Sequence, residues 1–113
     1  FIDTPTKKVA KYAYNLETGD VEFISYVIEF NGDSSPDGMC IDKTGMLWIA
    51  EWGGACVSKW NPLTGEKIKT IEIPSTNVTS CCFDNNDNLY VSTAKDDDGN
   101  GGGLFYVELN KNE

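Results

Sequence analysis

The sequence predicts an all-β protein built from consecutive blades of a β-propeller. Helical periodicity is nearly absent, and short runs of β-branched and aromatic residues alternate with turn signals. These runs recur at a period of just over forty residues, which is typical of propeller blades with four strands each. A β-sandwich also contains many short strands, but it gives no reason for turns and aromatic residues to repeat in phase. We therefore favour the propeller.

The predicted strands are separated by turns rich in Gly, Asn and Asp, which accept positive φ. They cover residues 8–15, 21–30, 38–42, 46–52, 57–61, 67–73, 78–84, 88–95 and 103–109.

The repeat is visible in both turns and strands. The turn sequence NLETG at residues 15–19 returns 46 positions later as NPLTG at residues 61–65. The strand sequence CID at residues 40–42 returns 42 positions later as CFD at residues 82–84. Residues 47–50 are apolar in succession rather than alternating, which predicts a strand that is buried on both faces.

This repeat divides the chain into about two and a half blades of four-stranded antiparallel sheets. We predict a partial blade at residues 1–30, a complete blade at 36–74 and a blade without its outer strand at 78–110. Such an arc cannot close a ring and would leave apolar blade faces in water. We therefore expect a C-terminal arc whose missing N-terminal blades are supplied in cis or by a second chain. The chain begins at Phe1 rather than Met, so we also expect the protein to extend upstream.

Charge and cysteine content narrow the possible partners and the compartment. The net charge is −9 and no basic stripe offsets it, which argues against nucleic acids and anionic membranes as partners. The four cysteines form no Cys-x-x-Cys pair and the chain has no histidine, so a zinc-finger type of site is excluded. We expect free thiols in a reducing cytoplasm.

Two acidic segments resemble calcium loops only superficially. In residues 84–95, Leu89 stands where an EF-hand needs glycine and Lys95 stands where it needs glutamate, so Asp84–Asn88 is predicted to be a hairpin turn. Residues 96–101 are predicted to form an acidic surface loop.

Four segments in order resemble the SMP-30/gluconolactonase/luciferin-regenerating enzyme family, to which regucalcin belongs. They are SPDGMCID at 35–42, GMLWIA at 45–50, NPLTG at 61–65 and LYVSTA at 89–94. The resemblance implies a six-bladed propeller with one divalent cation (Ca²⁺, Zn²⁺, Mn²⁺ or Mg²⁺) in its central channel, and hydrolysis of small lactones. It also implies that Asp37 is a metal ligand and the general base. The other ligands expected from the family, a glutamate and an asparagine in a Ser-Asn-Gly motif, are not in this chain, so the metal site here is incomplete.

Alternatives remain for these residues. Pro36-Asp37-Gly38 is also a common turn sequence, so Asp37 has a purely structural interpretation. Thr79, Ser80 and Cys81 open the next innermost strand and are candidates for lining the channel near Asp37. A nucleophilic role for Ser80 or Cys81 is disfavoured because no histidine is present to activate either one. The alternative to a lactone hydrolase is a non-catalytic propeller fragment that binds calcium or serves as an interaction scaffold.

Overall fold

The computed structural model describes residues 1–109 and confirms the all-β prediction. Every predicted strand segment contains a strand, and one 3₁₀ turn, Thr4–Thr6, is the helical element of the described residues. The strands are β1 Ile2–Asp3, β2 Lys8–Tyr14, β3 Val21–Glu29, β4 Ser35–Ile41, β5 Leu47–Trp52, β6 Cys56–Asn61, β7 Glu66–Glu72, β8 Asn77–Phe83, β9 Leu89–Ala94 and β10 Leu104–Val107.

The sheets are antiparallel meanders that follow chain order. Strands β1, β2 and β3 form one sheet, and the remaining strands form a larger sheet in which β4 pairs with β5. A single residue pair, Trp52 with Asn77, joins β5 to β8. The larger sheet therefore consists of two meanders, β4–β5–β6–β7 and β8–β9–β10. We call β1–β3 the first sheet, and these two meanders the second and the third sheet. The blade limits given above stay predictions, and residue 110 lies outside the described residues.

Strand β5 is the centre of the molecule and is buried on both faces, as its apolar run predicts. Ile49 packs on the first sheet in a cluster with Val9, Ile28, Phe30 and Trp60. On the opposite face of β5, Trp48 and Ala50 belong to a second cluster toward the third sheet. Its buried members also include Val57, Ile73, Val78, Cys81, Leu89, Val91 and Leu109. Two apolar layers therefore hold three sheets face to face.

The repeated turns have the same local structure. The amide of Gly19 donates to the Asn15 carbonyl, and the amide of Gly65 donates to the Asn61 carbonyl, each at 2.8 Å. The two glycines have φ of 77° and 76°, a conformation that residues with a Cβ rarely adopt. The predicted hairpin at Asp84–Asn88 is confirmed, because the Asp84 amide donates to the Asn88 carbonyl at 3.0 Å.

The two outer sheets each present an apolar face to solvent. On the first sheet, Phe1, Tyr12, Phe23 and Tyr26 contact one another edge to face, with centroids 5.1 to 6.1 Å apart. Phe23 and Tyr26 are 48% and 56% exposed. On the third sheet, Tyr90 packs on Tyr106 at 5.0 Å and both side chains are exposed.

Within residues 1–109, no helix is long and apolar enough to cross a membrane.

Candidate functional site

Asp37 lies in a β-bulge near the beginning of β4. Pro36 pairs with Glu51 and Met39 pairs with Ile49, so Asp37 and Gly38 together stand opposite Ala50. A bulge of two residues against one bends the strand and changes the direction of the side chain it carries. The sequence PDG therefore forms a bulge within β4. The structural alternative had predicted a turn at these residues before the strand begins.

The equivalent strand of the third sheet carries a bulge at the same position. Val78 pairs with Thr93 and Ser80 pairs with Ser92, which leaves Thr79 without a partner in the ladder. Thr79 is 42 positions after Asp37, the same offset that relates the two strand sequences. The repeat therefore places a carboxylate and a hydroxyl at matching bulges of β4 and β8.

These two strands approach each other closely at Gly38. A Cβ built on Gly38 would lie 2.5 Å from the Ser80 hydroxyl oxygen and 2.7 Å from the Thr79 carbonyl oxygen. Only glycine allows this approach, because no side chain fits between the strands. Asp37 is therefore next in sequence to a residue that touches both Thr79 and Ser80.

The carboxylate of Asp37 is half-buried and has no hydrogen bond or ion pair among residues 1–109. Burial raises the pKa of Asp37 above its ordinary value, since desolvation disfavours the charged form. A partly desolvated carboxylate without a partner is well suited to a cation or to accepting a proton.

The three predicted channel-lining residues occupy different environments. Ser80 is exposed beside Gly38. The Thr79 hydroxyl is hydrogen-bonded to the Ser92 hydroxyl at 2.8 Å. Cys81 is 6% exposed, belongs to the core cluster between the second and third sheets, and lies 3.4 Å from the Trp48 carbonyl oxygen.

The oxygen donors at this place suit a hard divalent cation, but they are too few to hold one. Carboxylate and hydroxyl oxygens are the ligand types that Ca²⁺, Mg²⁺ and Mn²⁺ prefer. Among residues 1–109, no group of three His, Cys, Asp or Glu side chains is placed to bind a metal. Asp37 can offer carboxylate oxygens to a cation, and its role as a metal ligand stays a prediction.

A second buried carboxylate, Glu51, was not singled out from the sequence. Its side chain accepts hydrogen bonds from the Ser34 hydroxyl at 2.6 Å and the Lys67 ammonium at 3.2 Å. Burial alone would raise the pKa of Glu51, but the hydrogen bonds from Ser34 and Ser58 and the charge of Lys67 hold it below its ordinary value. The signal in the sequence was a charge directly after the apolar run of β5. Because its partners satisfy it, we interpret Glu51 as structural.

Comparison with known proteins points to one family. The family model described as SMP-30/Gluconolactonase/LRE-like region matches residues 1–95. The chain is 38% identical over 120 residues to the Bacillus subtilis (strain 168) protein named "Putative sugar lactone lactonase YvrE". It is 36% identical over 99 residues to Homo sapiens regucalcin. These alignments cover 96% and 85% of this chain, but 41% and 33% of the respective relatives.

Solved structures agree on the fold. The chain superposes on a luciferin-regenerating enzyme with a TM-score of 0.84 at 30% identity, over 96% of this chain and 40% of that one. It superposes on a calcium-binding protein, regucalcin from Agrobacterium tumefaciens, with a TM-score of 0.78 at 24% identity, over 94% and 40% of the two chains. These structures have propeller-type folds, which confirms the predicted fold class. The chain spans about 40% of the length of each.

Proposed function

The chain belongs to the SMP-30/gluconolactonase/LRE-like family, and from this premise we propose that it is part of a divalent-metal-dependent hydrolase of small lactones. One observation carries the proposal: the half-buried, unpartnered carboxylate of Asp37 at the bulge of β4. Similarity to a protein named as a sugar lactone lactonase supports the choice of substrate.

In this proposal Asp37 is the residue of this chain that holds the cation. When bound, a divalent cation polarises a carbonyl and lowers the pKa of a water ligand. The Asp37 carboxylate accepts the proton of the attacking water. The water oxygen adds to the lactone carbonyl carbon and the ring C–O bond breaks. The proton taken up by Asp37 passes to the departing ring oxygen, and a hydroxy acid is released.

The rest of the metal site and of the ring belongs to blades that are not in this chain. The exposed aromatic face of Phe1, Tyr12, Phe23 and Tyr26 supports this part of the proposal, because an apolar face of this kind normally packs on another blade. The missing blades are supplied in cis or by a second chain. We expect the isolated 113-residue chain to have no meaningful turnover.

We also propose that the protein is cytoplasmic. This proposal is supported by the four cysteines, which are all free and include the exposed Cys82.

A panel of aldonolactones tests the proposal. The complete polypeptide encoded by the gene is assayed in a pH-stat with Ca²⁺, Zn²⁺, Mn²⁺ or Mg²⁺ and after chelation. We expect metal-dependent acid release from at least one lactone. No hydrolysis of any lactone with any of the four metals would overturn the proposal.

The second candidate is a non-catalytic propeller fragment that binds calcium or acts as a scaffold. It is favoured by the absence, among residues 1–109, of any group of three His, Cys, Asp or Glu side chains placed to bind a metal. The same assay distinguishes the two, because a non-catalytic protein would bind the cation without releasing acid.

A further inference from the structure

Two thiols face each other between the second and third sheets. The sulfur atoms of Cys40 on β4 and Cys81 on β8 are 3.6 Å apart, and the residues are 41 positions apart in the chain. All four cysteines of the chain are free thiols. Within residues 1–109, no backbone ladder joins β4 to β8, and the two strands meet where the second and third sheets pack on each other.

The two thiols differ in their access to solvent. Cys40 is half-buried, whereas Cys81 is 6% exposed. The hydrogen bond between them lowers the pKa of Cys40, and the same bond together with burial raises that of Cys81. Cys40 is therefore the sulfur that an oxidant reaches first, and Cys81 is the thiol held 3.6 Å from it.

We propose that Cys40 and Cys81 form a reversible disulfide when the protein meets a peroxide. The Cys40 thiolate attacks one peroxide oxygen and breaks the O–O bond, which gives a sulfenic acid on Cys40 and releases hydroxide. The Cys81 sulfur then attacks the Cys40 sulfur and loses its proton, and water leaves. In total, two thiols and one hydrogen peroxide give one disulfide and two waters. The thiols are oxidised, and the peroxide is reduced.

The disulfide would join the inner strands of two neighbouring sheets three residues from Asp37. It would also close a loop of about forty residues in the unfolded chain, which restricts that state and stabilises the folded one. Oxidation is therefore expected to strengthen the contact between the sheets beside the candidate metal ligand.

The other two cysteines serve as internal controls. Cys56 is buried on β6, and burial followed by the charge of Glu51 raises its pKa to about 12. Cys82 is exposed, but it follows Cys81 on a strand and so points to the opposite face of the sheet.

Peptide mapping of the complete polypeptide tests the pairing. The chain is treated with one equivalent of hydrogen peroxide, alkylated and digested with trypsin. Cys40 falls in peptide 12–43, Cys56 in 44–59, and Cys81 and Cys82 both fall in 70–95. We expect a cross-link between peptides 12–43 and 70–95 that dithiothreitol removes, in both the wild type and Cys82→Ser. The same cross-link is expected to be absent from Cys40→Ser and Cys81→Ser.

Stability provides a second measurement that does not rely on the serine variants of the pair. In the wild type and in Cys82→Ser, peroxide is expected to raise the melting temperature by at least about 5 °C, and dithiothreitol is expected to reverse the shift. Alkylation of both Cys40 and Cys81 after peroxide, loss of the cross-link in Cys82→Ser, or cross-links only between chains would each overturn the proposal.

Discussion

Gly38 lies so close to Ser80 that a Cβ at position 38 would stand 2.5 Å from the Ser80 hydroxyl oxygen. This contact joins the inner strands of two sheets next to Asp37. It explains why a glycine follows the candidate ligand, since any larger residue would push β4 away from β8.

Replacing Gly38 is therefore expected to destabilise the protein. Gly38→Ala places a methyl group against backbone at Thr79, where it cannot be accommodated by a side-chain rotation, so we expect a loss of about 1–3 kcal/mol in the free energy of unfolding. Urea unfolding measures the loss. Gly32→Ala is the matched control, because a Cβ there meets nothing within 4 Å. Equal stability of the two variants would contradict the close packing of β4 on β8 at Gly38.

The Asp42 carboxylate is expected to make stability depend on pH. It accepts hydrogen bonds from the Trp48 indole at 2.9 Å and from Thr44 and Met46. Burial acts to raise its pKa, but these bonds outweigh burial and lower the pKa to about 2. Because the folded pKa lies below the unfolded value of about 3.9, the stabilisation is complete above about pH 4 and is lost as the pH falls toward 2.

Asp42→Asn removes that contribution. Because solvent screens this partly exposed carboxylate, we expect the free energy of unfolding to fall by only about 1 kcal/mol at pH 7. We also expect unfolding free energy to depend less on pH between pH 4 and pH 2. Thermal melts across this range measure both effects. Asp84→Asn is the control, because Asp84 occupies the equivalent turn without a tryptophan donor. An unchanged profile in Asp42→Asn would contradict the assignment.

Glu51 is expected to be structural. Glu51→Gln places an amide nitrogen or a weaker acceptor against Ser34 and the Lys67 ammonium, in a side chain that is only 6% exposed. We expect a loss of about 1–3 kcal/mol in unfolding free energy, measured by urea denaturation. The exposed Glu66→Gln, on the strand that carries Lys67, is expected to change little. If both variants are equally stable, the network around Glu51 does not stabilise the fold.

The aromatic face of the first sheet is expected to drive association. Phe23→Ser combined with Tyr26→Ser removes exposed apolar area, so the 113-residue chain should aggregate less in size-exclusion chromatography with light scattering. Leu16→Ser is the control, because Leu16 is exposed in a turn and lies outside the aromatic face. Equal aggregation of the double variant and the wild type would argue against this face as the contact with missing blades.

Much of the fold was predictable from the sequence because blades repeat and pack on both faces. The run Leu47–Ala50 predicted two-sided burial, and its residues divide between the two core clusters. The predicted start of β4, at residue 38, was less accurate, because Pro36 suggested a turn before the strand. The bulge at Asp37 and Gly38 allows Pro36 to pair with Glu51, so the strand begins at Ser35.

The side-chain pairs of the site were not predictable. The sequence repeat aligns Cys40 with Cys82, whereas the packing of the sheets brings Cys40 to Cys81. Glu51 finds Ser34 and Lys67 at separations of 17 and 16 residues, which depends on how the strands associate. Local patterns determine strands and turns, and contacts between sheets require the assembled fold.

Metal binding by the complete polypeptide tests the central claim, that Asp37 is the chain's ligand to a divalent cation. Isothermal titration with Mn²⁺ compares the wild type, Asp37→Asn and the control Asp33→Asn, an exposed carboxylate four residues away. We predict at least about tenfold weaker Mn²⁺ binding in Asp37→Asn and unchanged binding in Asp33→Asn. Equal Mn²⁺ affinity of Asp37→Asn and the wild type would contradict the account.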